Sequence, residues 1–490
     1  MEFEPIIGLE IHVQLKTKSK MFCSCPNIFG DVEPNSAICP ICMGYPGTLP
    51  VPNKKAIEWT QLAGAALDCD LSHQSKFDRK SYFYPDLPKG YQISQYDQPF
   101  CRHGKLAFSV EGENITCGIT RIHLEEDAAK NTHPAGADYT LIDYNRAGTP
   151  LIEIVTEPDL RSPAHARAFL QELRRILRVL DVSDADMEKG QLRCDANISL
   201  RPKGEEKLNP KTEIKNLNSF RNIERALTFE IERQIQMHDA GSIPKQETTR
   251  GFNADTGKTT EQRSKEGAAD YRYFPDPDLP PFAFTKDELD ERRRAVPELP
   301  LAKEARFQRQ YRISSSQARL FADISTLADF YEHVISELEQ LDKERVEVIG
   351  KDIVPLASLA ANMSLRHLRP FLEQGELNIS PENFAELVVL VYQDRIGASA
   401  VAPVLAEMQK TSGDPDAIIQ NLGLEQVSDV GELSRAADEV IEENPDVAAK
   451  IKAGKESAIQ FLVGKVMQKT GGKANPQHII KILQRKILSE

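Results

Sequence analysis

The amino-acid sequence predicts an α+β fold in which an antiparallel sheet comes first and helices follow. Three observations predict it. The opening IIGLEIHVQLKT alternates strictly, with Leu9, Ile11, Val13 and Leu15 on one side and Glu10, His12, Gln14 and Lys16 on the other. From about Val296 the apolar residues recur instead at three- and four-residue spacing, most clearly in LFADISTLADFYEHVISELEQL (320–341). A KTSGDPD linker (410–416) then precedes short helices ending in NPQHIIKILQRKIL. The expected division is a sheet domain over 1–295, a helical domain over 296–408 and a small helical tail over 409–490. A chain of 490 residues is long enough for two to four domains with separate cores.

Composition narrows the class. Hydrophobic content of 40% and charged content of 28% describe an ordinary soluble protein. No apolar run approaches the ~18 residues of a membrane span, and no signal-peptide pattern opens the chain, so a cytoplasmic protein is expected. The net charge of −13 argues against nonspecific nucleic-acid binding by the whole surface. From Lys450 onward, however, nine Lys and Arg face two Glu, a local basic surface that could meet a phosphate backbone or simply be a solvated helix face.

Taken in order, the segments carry distinct chemistry. In the first strand, Glu10 and His12 stand two apart and present two ligands side by side. Cys23-Ser-Cys25 and Cys39-Pro-Ile-Cys42-Met-Gly follow, two close pairs able to give Zn²⁺ four thiolates with no open position, hence a structural site. Cys69, Cys101, Cys117 and Cys194 are scattered, as small buried apolar residues would be. KFDRKSYFYPDLPKGYQISQYDQPF (76–100) is irregular and rich in Tyr, Pro, Lys and Asp, which suits a substrate-facing loop, with Lys80, Tyr82 and Lys89 available to phosphate or substrate.

The stretch 119–158 reads as two strands flanking a dense set of ionisable groups. Arg121, His123 and Glu125 alternate with Ile122 and Leu124, LIEIVTE is apolar and β-branched, and between them stand Glu126, Asp127, Lys130, His133, Asp143, Asn145 and Arg146. Three consecutive acids at a strand end suit Mg²⁺, which takes carboxylate and phosphate oxygens; a charged loop is the plain alternative. SPAHARAFLQELRRILRVL (162–180) is an amphipathic helix opened by Ser162 and Pro163. GQLRCDANISLRP then puts Arg193, Asp195, Asn197 and Ser199 on one strand face, and KTEIKNLNSF does the same for Glu213 and Lys215. Three strands offering carboxylates at alternating positions suggest a common acidic cleft. RSKEGAADYRYFPDPDLPPF (263–282) closes the first domain.

With GLEIH, the 76–100 block, LEEDAAK, DYNRAGTPLIEIVTEPD, RCDANISLRP, EIKNLNSFR and DYRYFPDPDLP in order, the chain resembles the family of aspartyl/glutamyl-tRNA(Asn/Gln) amidotransferase B subunits along its whole length. The resemblance implies a catalytic cradle similar to the glutamine synthetase and guanido-kinase fold, a helical domain and a tail domain that engages tRNA. It implies ATP-dependent phosphorylation of the side-chain carboxylate of Glu or Asp mischarged onto tRNA. Amination follows, with ammonia from a partner amidase (the A subunit) in a heterotrimer whose third member is the small C subunit. By the family match, Glu10, His12 and Glu126 are the expected Mg²⁺ ligands, and Asp195 and Glu213 complete the catalytic face. Lys80, Tyr82, Arg146 and Lys215 are expected near ATP or substrate, Arg263, Asp270 and Arg272 along the ammonia route, and Lys465, Lys469 and Lys473 on tRNA phosphates. Two positions depart from the family pattern: Ala129 where Gly is common, and Asp276 where Glu is common.

The sequence lacks a Walker-type GxxxxGK[ST] loop, a GxGxxG fingerprint and a glutaminase nucleophile segment, so ATP would be held by metal and side chains and glutamine hydrolysed elsewhere. The competing class is a non-enzymatic RNA-binding protein whose carboxylates are merely solvated. Convergence of Glu10, His12, Glu126, Asp195 and Glu213 in space discriminates between the two. An archaeal relative specific for Glu-tRNA carries a large insertion for which this chain has no room.

Overall fold

A computed structural model of the chain describes residues 2–30, 32–242, 245–264, 271–344, 353–425, 430–452, 455–470 and 474–488. It divides into two compact units, Met1–Pro300 and Leu301–Glu490.

The first unit is built on one nine-stranded sheet. Its strands are β1 (Phe3–Gln14), β2 (Asp70–Leu71), β3 (Cys101–Val110), β4 (Glu113–Glu126), β5 (Pro150–Thr156), β6 (Leu192–Pro202), β7 (Thr212–Leu217), β8 (Thr248–Asn253) and β9 (Lys258–Ser264). They lie in the order β9-β8-β7-β6-β1-β5-β4-β3-β2, which puts β1 at the centre. The strand period decides which side chains enter the core: Ile7, Leu9, Ile11 and Val13 are fully buried, while Glu10 and His12 between them are half-buried on the other face. The buried face packs with helices α1 (Lys54–Ala66), α2 (Pro163–Val179) and α3 (Phe220–Asp239), and Phe169, Leu173, Ile176, Ile223 and Leu227 join it in one apolar cluster. The Ser162 hydroxyl caps α2 by accepting from the His165 amide at 3.1 Å, with Pro163 in the first turn.

The sheet departs from full antiparallel pairing once. β7 and β8 are parallel, with Glu213 beside Thr249 and Lys215 beside Gly251. The long helix α3 lies between them in sequence and provides the crossover that two parallel strands need. A three-stranded sheet of Phe274–Pro275, Asp78–Ser81 and Tyr91–Ser94 accompanies the large one. Arg79 clamps it: Nε donates to Asp276 and Nη2 to Asp278, each at 2.8 Å. The shorter acid at 276 thus lies within reach of the guanidinium. Ala129, expected from the resemblance to stand where Gly is common, has no left-handed backbone and donates its amide to the Asp86 carbonyl at 3.0 Å.

The second unit contains two apolar clusters. One gathers Phe307, Phe321, Tyr331, Leu356, Phe384 and Leu405 and extends to Ile418 and Ile419, so a boundary at 408 falls inside it. Helix Pro415–Leu422 follows helix Val401–Thr411 after a turn of three residues and packs with it, which is why KTSGDPD is not a linker between cores. The helix expected over 320–341 is two, Ser315–Asp323 and Ser325–Glu344, separated by the non-helical Ile324. The other cluster gathers Leu433, Val440, Leu462, Val466, Ile479 and Leu483.

One buried carboxylate ties the sheet edge that carries Glu213 and Lys215 to its helix. Glu230 of α3, fully buried, accepts from Arg233 at 2.5 Å, Gln234 at 3.0 Å and Thr259 of β9 at 3.1 Å. Replacing Glu230 by Ala strands these donors, and urea unfolding is expected to report a loss of about 3–5 kcal/mol.

Candidate active site and metal centre

The face of the sheet opposite the helices collects the charged residues because register aligns them. In antiparallel neighbours, residues directly opposite share a face. His12 of β1 pairs with Glu153 of β5, and Glu153 pairs with His123 of β4, so three strands contribute one row. The atoms meet: His12 Nε2 lies 3.2 Å and His123 Nε2 3.4 Å from Glu153 Oε2. Glu125, two residues from His123, approaches both imidazoles at 3.7 and 3.6 Å, and Ser94 donates to it at 3.0 Å. Glu10 completes the set, and its ligand atom lies within 4.8 Å of those of His12 and Glu153.

Towards the sheet edge, Glu10 faces Asp195 across β1 and β6. Lys215 of β7 reaches Asp195 at 2.5 Å and Glu213 at 3.2 Å, and Thr249 donates to Glu213 at 2.9 Å. At the other end of the row Asp127, fully enclosed, accepts from Arg193 at 2.7 Å and Gln14 at 2.8 Å, with Arg146 at 3.7 Å.

The electrostatics follow from burial and crowding. Burial alone would lower His12 and His123, but Glu153 and Glu125 outweigh it: His12 is raised, and His123 is pushed up to about 9. Burial, then the nearby Glu153 charge, raises Glu10. Burial also opposes charge on Asp127, yet Arg193 and Arg146 hold it below the usual carboxylate range. The imidazolium of His123 therefore offsets part of the negative charge of the row. Two overlapping triads, Glu10–His12–Glu153 and His123–Glu125–Glu153, each gather ligand atoms of the kind that fits a divalent cation, which would displace the imidazole protons.

Glu10, His12, Asp195 and Glu213 thus lie on this face, and Glu126 does not. Glu126 has the parity of the buried Ile122 and Leu124, not that of Glu125, and it accepts from the Ile93 amide at 3.0 Å and from Lys89. The structure groups Glu10 and His12 with Glu153 instead. Sequence reasoning misses Glu153 because it sits singly in an apolar strand, yet a lone acid inside PLIEIVT is itself the signal: burying it demands partners. Of the other expected residues, Lys80 places its ammonium 4.9 Å from the Tyr271 ring, and the Tyr82 ring meets the same ring edge-on at 6.0 Å. Arg146 donates to the carbonyls of Ala128 and Ala129. Arg272 stands between Tyr271 and Tyr273. Asp270, Lys473 and the Arg263 side chain lie outside the described residues.

The four cysteines form a second centre, their sulfurs within 4.8 Å of one another. The Cys39 amide donates to Cys42 Sγ at 3.1 Å. A hydrogen bond from Cys23 lowers the Cys42 thiol while raising that of Cys23, so the cluster already favours a thiolate. Lys20 supports the same reading. It is fully buried, its Nζ lies 3.9 Å from Cys42 Sγ and 3.2 Å from the Tyr144 carbonyl, and no carboxylate pairs with it among the described residues. A buried ammonium needs negative charge, and a tetrathiolate around Zn²⁺ would supply it.

The face of the sheet opposite the helices gathers carboxylates, imidazoles and flanking cations, donor types that suit a divalent cation beside an anionic substrate. The model of the GatB/GatE catalytic domain matches residues 5–290, and that of the GatB domain matches 356–487. Proteins named as the B subunit of aspartyl/glutamyl-tRNA(Asn/Gln) amidotransferase are similar throughout: that of Persephonella marina is 47% identical over 489 residues, 99% of each chain. That of Moorella thermoacetica is 45% identical over 489 residues, 99% of this chain and all of its own. This chain belongs to that family of amidotransferase B subunits, which are carbon–nitrogen ligases using glutamine as amide donor.

Elemental analysis is expected to find one Zn²⁺ per chain. Lys20→Met, which removes the counter-charge but keeps a similar length, should weaken Zn²⁺ retention in a chelator competition by about 10–100-fold.

Proposed function

We propose that this chain carries out ATP-dependent transamidation of Glu-tRNA(Gln), Asp-tRNA(Asn) or both, in a cytoplasmic heterotrimer with the amidase (A) and small (C) subunits. The carrying observation is the row Glu10–His12–Glu153–His123–Glu125, read together with membership of the B-subunit family. A side-chain carboxylate is a poor electrophile. One of its oxygens attacks the γ-phosphorus of ATP, ADP leaves, and the resulting acyl phosphate accepts ammonia with loss of phosphate. Mg²⁺ bound at the row would offset the charge of two anions brought together. No helix among the described residues is long and apolar enough to cross a membrane.

The chain's own residues then take distinct parts. Glu10, His12, Glu153 and Glu125 would hold the cation. Lys215, kept strongly basic by Asp195 and Glu213 against the effect of burial, presents a fixed positive charge to phosphate. Asp195 and Glu213 orient that lysine, Arg146 and Arg193 hold Asp127, and Lys80 and Tyr82 border the substrate. Ammonia arrives past the segment holding Arg263, Asp270 and Arg272. The sheet unit serves as a cradle of the glutamine synthetase kind, the zinc knuckle stabilises it, and the last helices bind tRNA.

Glu153→Gln keeps shape but removes the central charge. Amide formation is expected to fall by about 10²-fold or more while glutamine hydrolysis by the partner persists. A transamidation assay with each mischarged tRNA reads this directly, and wild-type-like amide formation would refute the row as the site. In the tail, Lys469 is bound to Glu439 at 2.7 Å and Glu443 at 2.8 Å, whereas among the described residues Lys465 meets the Phe461 ring at 5.8 Å and no carboxylate. Lys465→Ala should therefore raise the tRNA KM and flatten its salt dependence by about one unit, and Lys469→Ala should do less.

A further inference from the structure

We infer that Tyr96, Tyr271 and Tyr273 form a stacking wall for an adenine ring beside the carboxylate row; the inference rests on the proposed reaction, which brings together two adenosines. Tyr96 stacks on Tyr273 with centroids 4.5 Å apart and planes 14° from parallel. Tyr271 meets Tyr273 edge-on at 6.2 Å and Tyr82 at 6.0 Å. Their positions are set by the chain: Phe274–Pro275 pairs with Asp78–Ser81, and the Ser81 amide donates to the Tyr271 carbonyl at 2.9 Å. Between the two tyrosines Arg272 has φ of +45°, a left-handed backbone rare for a non-glycine residue. Such strain persists where the surrounding structure enforces it, and here it orients a pair of rings.

The wall borders the site. Ser94, two residues before Tyr96, donates to Glu125 at 3.0 Å, which brings this stretch of chain beside that carboxylate. On the far side the wall is open: Tyr96 is 63% and Tyr271 36% exposed. Lys80 places a cation 4.9 Å from the Tyr271 ring, where it can also meet a phosphate. Exposed aromatic faces beside a lysine match a nucleotide, whose base stacks while its phosphate is neutralised. The sequence has no glycine-rich phosphate loop, so side chains must supply this recognition. The shared ligand chemistry is adenosine, either of ATP or of the 3′-terminal nucleoside of the tRNA.

The test uses the chain assembled with its partner subunits. Tyr96→Leu and Tyr271→Leu should each raise one KM about ten-fold, with a smaller change in kcat, while Tyr96→Phe restores it. A rise in KM for ATP alone assigns the wall to the nucleotide; a rise for mischarged tRNA alone assigns it to the terminal adenosine. Tyr96→Trp adds a direct reading, because the chain has a single tryptophan, Trp59, as background. Its fluorescence should be quenched by ADP in the first case and by the trinucleotide CCA in the second. Unchanged KM values in leucine variants that unfold at the wild-type temperature, with no quench by either probe, overturn the wall. A wild-type complex that makes no amide would overturn the proposed reaction instead, and the quench would still decide the wall.

Discussion

The arrangement depends on a carboxylate placed where a sheet would ordinarily bury an apolar residue. Glu153 lies in the middle of β5 with neighbours Ile152 and Ile154 in the core, and its oxygen sits between two imidazoles from the adjoining strands. A charge in that position is tolerable only with partners. Its partners come from β1 and β4, so the row exists only while three strands keep register. A slip of one residue would turn every member towards the helices. The apolar cluster beneath holds that register.

Charge in this unit is neutralised locally rather than pooled. Glu125, Glu126 and Asp127 are consecutive, yet they face different counter-charges: the imidazoles, Lys89, and the pair Arg193 and Arg146. Strand parity separates the first two, and the end of the strand frees the third to bend towards β1 and β6. Lys20 at the cysteine cluster follows the same logic with sulfur as the anion. Separate neutralisation leaves the ion pairs on either side independent of the charge carried by the row.

The basic tail shows how tertiary contacts change the meaning of a charge count. Nine Lys and Arg after Lys450 look like a surface awaiting phosphate. The preceding helix, Val430–Glu443, turns Asp438, Glu439 and Glu443 towards Lys486 and Lys469. Part of the excess is therefore neutralised inside the protein, and any recognition of a polyanion falls to the cations outside those pairs.

Much is legible from the sequence alone. The two-residue period places Glu10 with His12 and Asp195 with Arg193, because alternation is a property of extended backbone whatever its neighbours. Cysteine spacing marks a cluster that the fold does gather, since such pairs need only short loops to converge. The family is readable from ordered blocks. What the sequence leaves open is pairing across strands: which acid of the 125–127 run faces the cleft, that Glu153 lies between His12 and His123, and that β7 and β8 run parallel around α3. These follow from register and crossover, which depend on how distant segments pack. Local composition determined which groups reach a strand face; only the assembled sheet decided which of them touch.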